Sequence, residues 1–142
     1  MRRITLALFI LASIAAGAQQ PAPDPLATAR VFAYENMVPK TAANGAIGRS
    51  VFTGTLATGE TIAVHETMQP AGTVPNPAHR IQHSELIVVQ DGTLEFQHDG
   101  KAERAGPGSV IYVAFGTLHA VKNIGDGPAK YIVVQIGGDT GK

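Results

Sequence analysis

The stretch Leu86-Ile87-Val88-Val89-Gln90-Asp91-Gly92-Thr93-Leu94-Glu95-Phe96-Gln97-His98-Asp99-Gly100 decides the fold class. Two runs rich in β-branched, leucine and aromatic side chains flank Asp91-Gly92, and a second Asp-Gly pair closes the segment. Asp-Gly tolerates the positive backbone dihedrals of tight reversals, so the segment reads as a meander of antiparallel strands. Leu86–Val89 is apolar at consecutive positions, as is much of Tyr131–Ile136. Both faces of these strands are therefore expected to be covered, by the core of a two-sheet sandwich or, in the alternative, by a second copy in a homodimer.

Working outward, the runs Arg30–Asn36, Gly48–Thr53, Glu60–Gln69, Ser109–Ala114, His119–Asn123 and Ala129–Ile136 repeat the pattern between Gly, Pro, Asn and Asp punctuation. Short strands at such spacing predict an all-β sandwich or barrel. No fixed-period repeat and no helix-length amphipathic pattern follows the N-terminus. Met1–Ala18 carries two arginines, an apolar run and Ala16-Gly17-Ala18, the pattern of a cleavable secretory signal, so a periplasmic or secreted location is expected. The apolar run falls short of the roughly 20 residues of a membrane span, and no later stretch approaches them. Gln19–Thr28, with three prolines, reads as a flexible leader, and 29–142 as a single domain.

The chain has no cysteine, which excludes disulfides. With Arg2 and Arg3 removed, nine of the eleven basic residues remain against eleven acidic ones, a formal charge near −2. Such a balance points away from nucleic acid and anionic membranes as partners.

Two stretches carry chemistry. Gly108-Ser109-Val110-Ile111-Tyr112-Val113-Ala114-Phe115-Gly116-Thr117-Leu118-His119-Ala120-Val121-Lys122-Asn123 resembles the second motif of the cupin superfamily, G-x5-P-x-G-x2-H-x3-N, with Ala114 at the proline position. Gly72, then His79-Arg80-Ile81-Gln82-His83-Ser84-Glu85, then Gly92, resembles the first, G-x5-H-x-H-x3-4-E-x6-G, with a lead spacing one residue longer and Ile81 at the second histidine position. The resemblance spans about Ile62 to Ile136. It implies an antiparallel double-stranded β-helix, or jelly-roll barrel, whose interior holds a divalent metal on His79, Glu85 and His119. It also implies a small organic molecule as substrate or ligand. The superfamily includes dioxygenases, isomerases, lyases and binders, so the resemblance leaves the reaction open.

Elementary geometry constrains that site. On one straight strand the Cα atoms of His79 and Glu85 would lie roughly 20 Å apart, too far for one ion to bridge. A shared metal thus requires a bend near Gln82–Ser84, with His79 on one strand and Glu85 on the next. Across such a bend His83 is an alternate fourth ligand or a solvated turn residue. Two imidazoles and one carboxylate suit iron(II) or zinc, with manganese and nickel also compatible. The competing reading takes Ile81 as the mark of a degenerate site, leaving a metal-free cavity for a small ligand.

Secondary candidates follow from position. His65 and Glu66 are adjacent on a strand, so only one faces inward; Glu66 reads as an edge or mouth charge, or else as an acid or base in the cavity. Tyr112 and Gln135 are candidate cavity-lining residues, and His98 an exposed turn residue. Asn123 reads as a turn organiser, and Gly92, Gly108 and Gly116 as positions where a Cβ would obstruct a reversal.

Overall fold

The computed structural model describes residues 24–140; the expected signal segment 1–18 and leader residues 19–23 fall outside them. Ten strands follow a 3-10 turn at Tyr34–Asn36: β1 (Pro39–Thr41), β2 (Ile47–Thr55), β3 (Thr61–Gln69), β4 (His79–Arg80), β5 (Ser84–Asp91), β6 (Leu94–His98), β7 (Lys101–Ala105), β8 (Val110–Val113), β9 (Leu118–Asn123) and β10 (Ala129–Ile136). They form two antiparallel sheets, a larger one in the order β1-β2-β3-β10-β5-β8 and a smaller one in the order β4-β9-β6-β7. The architecture is the expected all-β double-stranded β-helix.

From β4 onward the chain changes sheet at every connection except the β6–β7 hairpin, and this corrects the meander. Asp91-Gly92 does not close a hairpin, because β5 pairs with β8 and β10 while β6 pairs with β7 and β9. The turn instead lifts the chain from one sheet to the other. Gly92 (φ 76°) runs so close to the end of β10 that a Cβ would fall 2.6 Å from both Ala129 Cα and Pro128 O. Asp99-Gly100 is a true hairpin turn, with positive φ at both residues (47° and 74°) and β6 paired to β7.

Inward positions alternate along each strand. Ile87 and Val89 of β5, Leu94 and Phe96 of β6, Ile111 and Val113 of β8, and Tyr131 and Val133 of β10 meet between the sheets, joined by Ile81 and Ala105. Period-two burial assigns Leu86, Val88, Val110, Tyr112, Ile132 and Val134 to the outer face of the larger sheet.

The N-terminal segment packs on one half of that outer face. Arg30–Asn36 is not a strand: it runs as irregular backbone into the 3-10 turn, and its aromatic residues pack across the sheet. Phe32 lies 4.6 Å from the ring of Phe52, and Tyr34 sits over Arg49 (5.0 Å) and Lys130 (4.7 Å). Beneath Tyr34, Glu66 bridges Arg49 Nη1 (3.2 Å) and Lys130 Nζ (3.0 Å) while only 3% exposed. Glu66 is thus neither a cavity acid nor a solvated mouth charge, but the centre of a capped ionic cluster outside the barrel. Residues 24–28, read as the end of the leader, begin with Asp24, whose carboxylate accepts the N–H groups of Leu26 (2.9 Å) and Thr55 (3.0 Å).

Candidate functional site

The first-motif residues are split between sheets by the bend the geometry demands. β4 ends at Arg80 in the smaller sheet, Gln82 and His83 turn, and β5 starts at Ser84 in the larger. His79 then lies directly opposite His119 on β9, their ring centroids 4.7 Å apart. Glu85 enters from the facing sheet, where it is registered against Val113 and Gln135. His119 is 3% and Glu85 7% exposed, whereas His79 stands at the exposed mouth. His119 Nε2 lies 3.7 Å from Glu85 Oε2.

Both facing histidines are oriented alike by their own backbone. Nδ1 of His79 contacts Pro77 O, and Nδ1 of His119 contacts Thr117 O, each at 3.2 Å. A carbonyl accepts only, so Nδ1 is the donor in each, which leaves Nε2 as the nitrogen that bears the lone pair of the neutral ring. Metal-bound histidines are held by the same kind of outer contact. Burial lowers the His119 pKa, opposed by its bond to the Thr117 carbonyl, and so favours the neutral ring.

His83 is placed differently. It is 7% exposed, with Nε2 2.9 Å from Glu85 Oε1 and Nδ1 2.7 Å from Asp139 Oδ1. Burial alone would lower its pKa, but the bonds to Asp139 and Glu85 outweigh that and raise it. Asp139 belongs to the segment after β10, which is tied down by Gly137 N–H to Thr61 O (2.8 Å) and Asp139 N–H to Gln82 O (3.2 Å). Gln135 Nε2 donates to Glu85 Oε1 at 3.1 Å. One carboxylate oxygen of Glu85 is therefore fixed by His83 and Gln135, while the other faces His119. At the missing-histidine position, Ile81 is 6% exposed within the core cluster.

His79, Glu85 and His119 border a cavity of about 290 Å³ that also meets His65, Thr67, Gln69, Tyr131 and Gln135. Of the adjacent pair, His65 is the inward residue. Burial lowers its pKa, partly offset by the charge of Glu85. Tyr131, pushed up to about 12 by burial, stays a neutral phenol that accepts a hydrogen bond from Gln69 Nε2 (3.0 Å). Tyr112, by contrast, is 63% exposed on the outer face and lines no part of this cavity. The motif reading missed Gln69, Tyr131 and Asp139. Tyr131 was recoverable from strand parity, since it shares a face with Gln135; Gln69 shares the parity of His65 and needed the register of β3, and Asp139 follows the last strand and carried no signal.

A second cleft, of about 360 Å³, opens between the edges β7 and β8 and includes His98 and Glu103. It holds none of His79, Glu85 or His119, so the first cavity is the better site candidate. His98 ends β6 and its ring stacks on Phe96 at 4.6 Å.

Two imidazoles and a carboxylate are suitable donors for a divalent transition metal. Among the described residues, however, no group of three or more His, Asp or Glu side chains is arranged to hold an ion. The His79 ring lies against that of His119, and Glu85 is shared with His83 and Gln135. The donor chemistry fits a metal; the present side-chain positions bring only pairs together.

A family model described as "Cupin domain" matches residues 64–135. No curated protein matches the sequence. Among solved structures, an RmlC-like cupin from Shewanella frigidimarina superposes with a TM-score of 0.64 at 14% identity, covering 79% of this chain and 95% of its own. A predicted oxalate decarboxylase from Thermotoga maritima gives 0.58 at 17% identity, covering 75% and 98%. The DMSP lyase DddQ from Ruegeria pomeroyi is 28% identical with a TM-score of 0.50, over 57% of this chain and 40% of that one.

Proposed function

From the premise that this chain belongs to the cupin family, we propose that its cavity binds a small organic molecule beside a divalent metal held by His79, Glu85 and His119. The observation that carries the reading is the matched orientation of the two histidines, each Nδ1 turned to a backbone carbonyl at 3.2 Å so that Nε2 is left for a ligand. The family relationship and neighbours named as a lyase and a predicted decarboxylase support a small-molecule partner. Reaction at the site is proposed only at the level of that class.

A metal bound there would supply Lewis acidity toward an oxygen-bearing substrate. The chain's own residues do the rest. His83, fixed by Asp139, and Gln135 hold one oxygen of Glu85, leaving the other toward His119. In this reading His83 orients Glu85 instead of serving as a fourth ligand. His65 and Tyr131 offer polar contacts from the opposite wall, and Ile87, Val133 and Val121 limit water around a bound molecule.

The second reading, a metal-free binding module, is favoured by Ile81 in the core and by the lack of a converged three-group cluster among the described residues. Purification from metal-supplemented medium, followed by elemental analysis and melting with added Fe(II), Mn(II), Zn(II) or Ni(II), separates the two. Near-stoichiometric metal and a stabilisation abolished by His119→Ala support the first. Absence of both sinks it in favour of the second. We further propose export directed by Met1–Ala18; mass analysis of the exported protein is expected to find Gln19 at its N-terminus, and an uncleaved intracellular chain would refute this.

A further inference from the structure

The walls of the cavity differ in what they offer a bound molecule. On the side of His79, His119 and Glu85, the two Nε2 atoms and Glu85 Oε2 present lone pairs. The β3–β10 wall is organised in the opposite sense, and its order begins at a buried backbone amide. The N–H of Asn123 can only donate, and it meets Gln69 Oε1 at 3.0 Å. That contact fixes which end of the Gln69 amide is oxygen, so Nε2 is the end that donates to the Tyr131 hydroxyl at 3.0 Å. Thr67 stands directly across from Tyr131 in the β3–β10 register, and its hydroxyl also hydrogen-bonds the phenol. Burial outweighs both hydrogen bonds and keeps the phenol protonated. The two hydroxyls carry two protons, and the bond between them uses one. Among the described residues no backbone carbonyl or carboxylate takes the other. Whichever hydroxyl donates to its neighbour, one O–H proton is left on the stretch of wall that Thr67, Gln69 and Tyr131 form.

Resting on the reading of this cavity as a small-molecule site, we propose that the Thr67–Tyr131 pair sets its specificity and recognises a carbonyl oxygen of the ligand, as in a ketone, ester, amide or carboxylate. A carbonyl oxygen accepts and brings no proton of its own, so it matches the remaining O–H and leaves no buried donor without a partner. An aliphatic group of the same shape leaves that donor unpaired, and such an unpaired group is how a polar site rejects an isostere. Gln69 and the Asn123 amide are positioning groups, since they act by orienting the pair through the phenol oxygen. With its carbonyl on this wall, the remainder of the ligand extends across the cavity toward His119 and Glu85.

Cyclohexanone and methylenecyclohexane have nearly the same shape and differ in the acceptor. A cavity of about 290 Å³ has room for their six-membered ring, given that about 150 Å³ holds benzene. The purified chain, treated with EDTA so that no metal competes for the oxygen, is titrated with each, and the methyl resonances of Val121 and Val133 report entry. Infrared spectroscopy then reads the stretch of the ¹³C-labelled carbonyl in the bound ketone. The stretch is expected below its position in hexane, and to return toward that position in Thr67→Val/Tyr131→Phe. The ketone-to-alkene affinity ratio is expected to fall about tenfold in the same variant. Thr67→Ala/Tyr131→Phe serves if the first variant folds poorly. A ketone that enters without a lowered stretch, or a lowered stretch and a ratio that both survive the double change, overturns the inference and leaves the cavity standing as a binding site. A ketone that shifts neither valine at its solubility limit overturns the inference together with that role. Because the chain is metal-free throughout, neither result depends on whether His79, Glu85 and His119 hold an ion.

Discussion

Replacing Asn123 by alanine tests the account of how the second motif is held. Asn123 is 3% exposed, and its Nδ2 lies within hydrogen-bond reach of Gln69 O (3.0 Å), Pro70 O (3.2 Å) and Gly127 O (2.9 Å). Its Oδ1 accepts the N–H of Gly125 at 2.9 Å. Nδ2 carries two protons, so alanine removes two donated bonds and one accepted bond. At a net value of about 1 kcal/mol each, the loss is about 3 kcal/mol. With a urea dependence of about 2 kcal/mol per molar, the unfolding midpoint should fall by roughly 1.5 M at unchanged slope. Asn123→Asp keeps the acceptor but turns a carboxylate oxygen toward three carbonyls, so it should cost at least as much. A midpoint shift under about 0.3 M for alanine, or a milder aspartate than alanine, would refute the reasoning.

Gly92→Ala is expected to lose on the order of 2–4 kcal/mol, because the new methyl combines a positive φ with backbone atoms 2.6 Å away; thermal unfolding reads it, and a melting temperature within a degree or two of wild type contradicts the account. Glu66→Ala leaves Arg49 and Lys130 as neighbouring cations beneath Tyr34, a loss of about 2–3 kcal/mol after allowing for the partial exposure of both cations; a cost near zero in urea titration would mean that the cluster is already well solvated. The His98 pKa is raised by its bonds to Asp99 and then Glu103, so NMR titration should place it above 6.5, with Asp99→Asn and Glu103→Gln each lowering it. His98 then stabilises the fold fully below about pH 6.5 and loses that contribution as pH rises through the raised value; a stabilisation that grows over that interval would reverse the sign.

What the sequence made legible depended on whether local chemistry and tertiary context agreed. Ala129–Ile136 was readable to the residue because Tyr131-Ile132-Val133-Val134 has strong strand preference and the glycines and proline of Gly125–Pro128 mark its start. β7 was not, since Lys101-Ala-Glu-Arg-Ala105 has weak strand preference; the Asp99-Gly100 turn and pairing with β6 make it a strand. Arg30–Asn36 failed the other way, having strand composition but packing across a sheet instead of within one. At the candidate site, motif spacing identified the facing pair His79 and His119, and the bend followed from distance alone. The parity of His65 against Glu66 needed the register of β3 with its neighbours. Asp139 could not be read at all, because only the fold brings the segment after the last strand back to His83.

The position of β10 has a consequence for how the molecule comes into being. β10 lies between β3 and β5 and pairs with each along nearly its whole length. Before residues 129–136 leave the ribosome, the larger sheet can exist only as two unconnected fragments, β1-β2-β3 and β5-β8, each with an unpaired strand edge open. Neither can gain the long-range pairings that offset the entropy of loop closure. Folding is therefore expected to await the end of synthesis, and a nascent chain halted before Ala129 should remain open to proteases and chaperones however much of it has emerged.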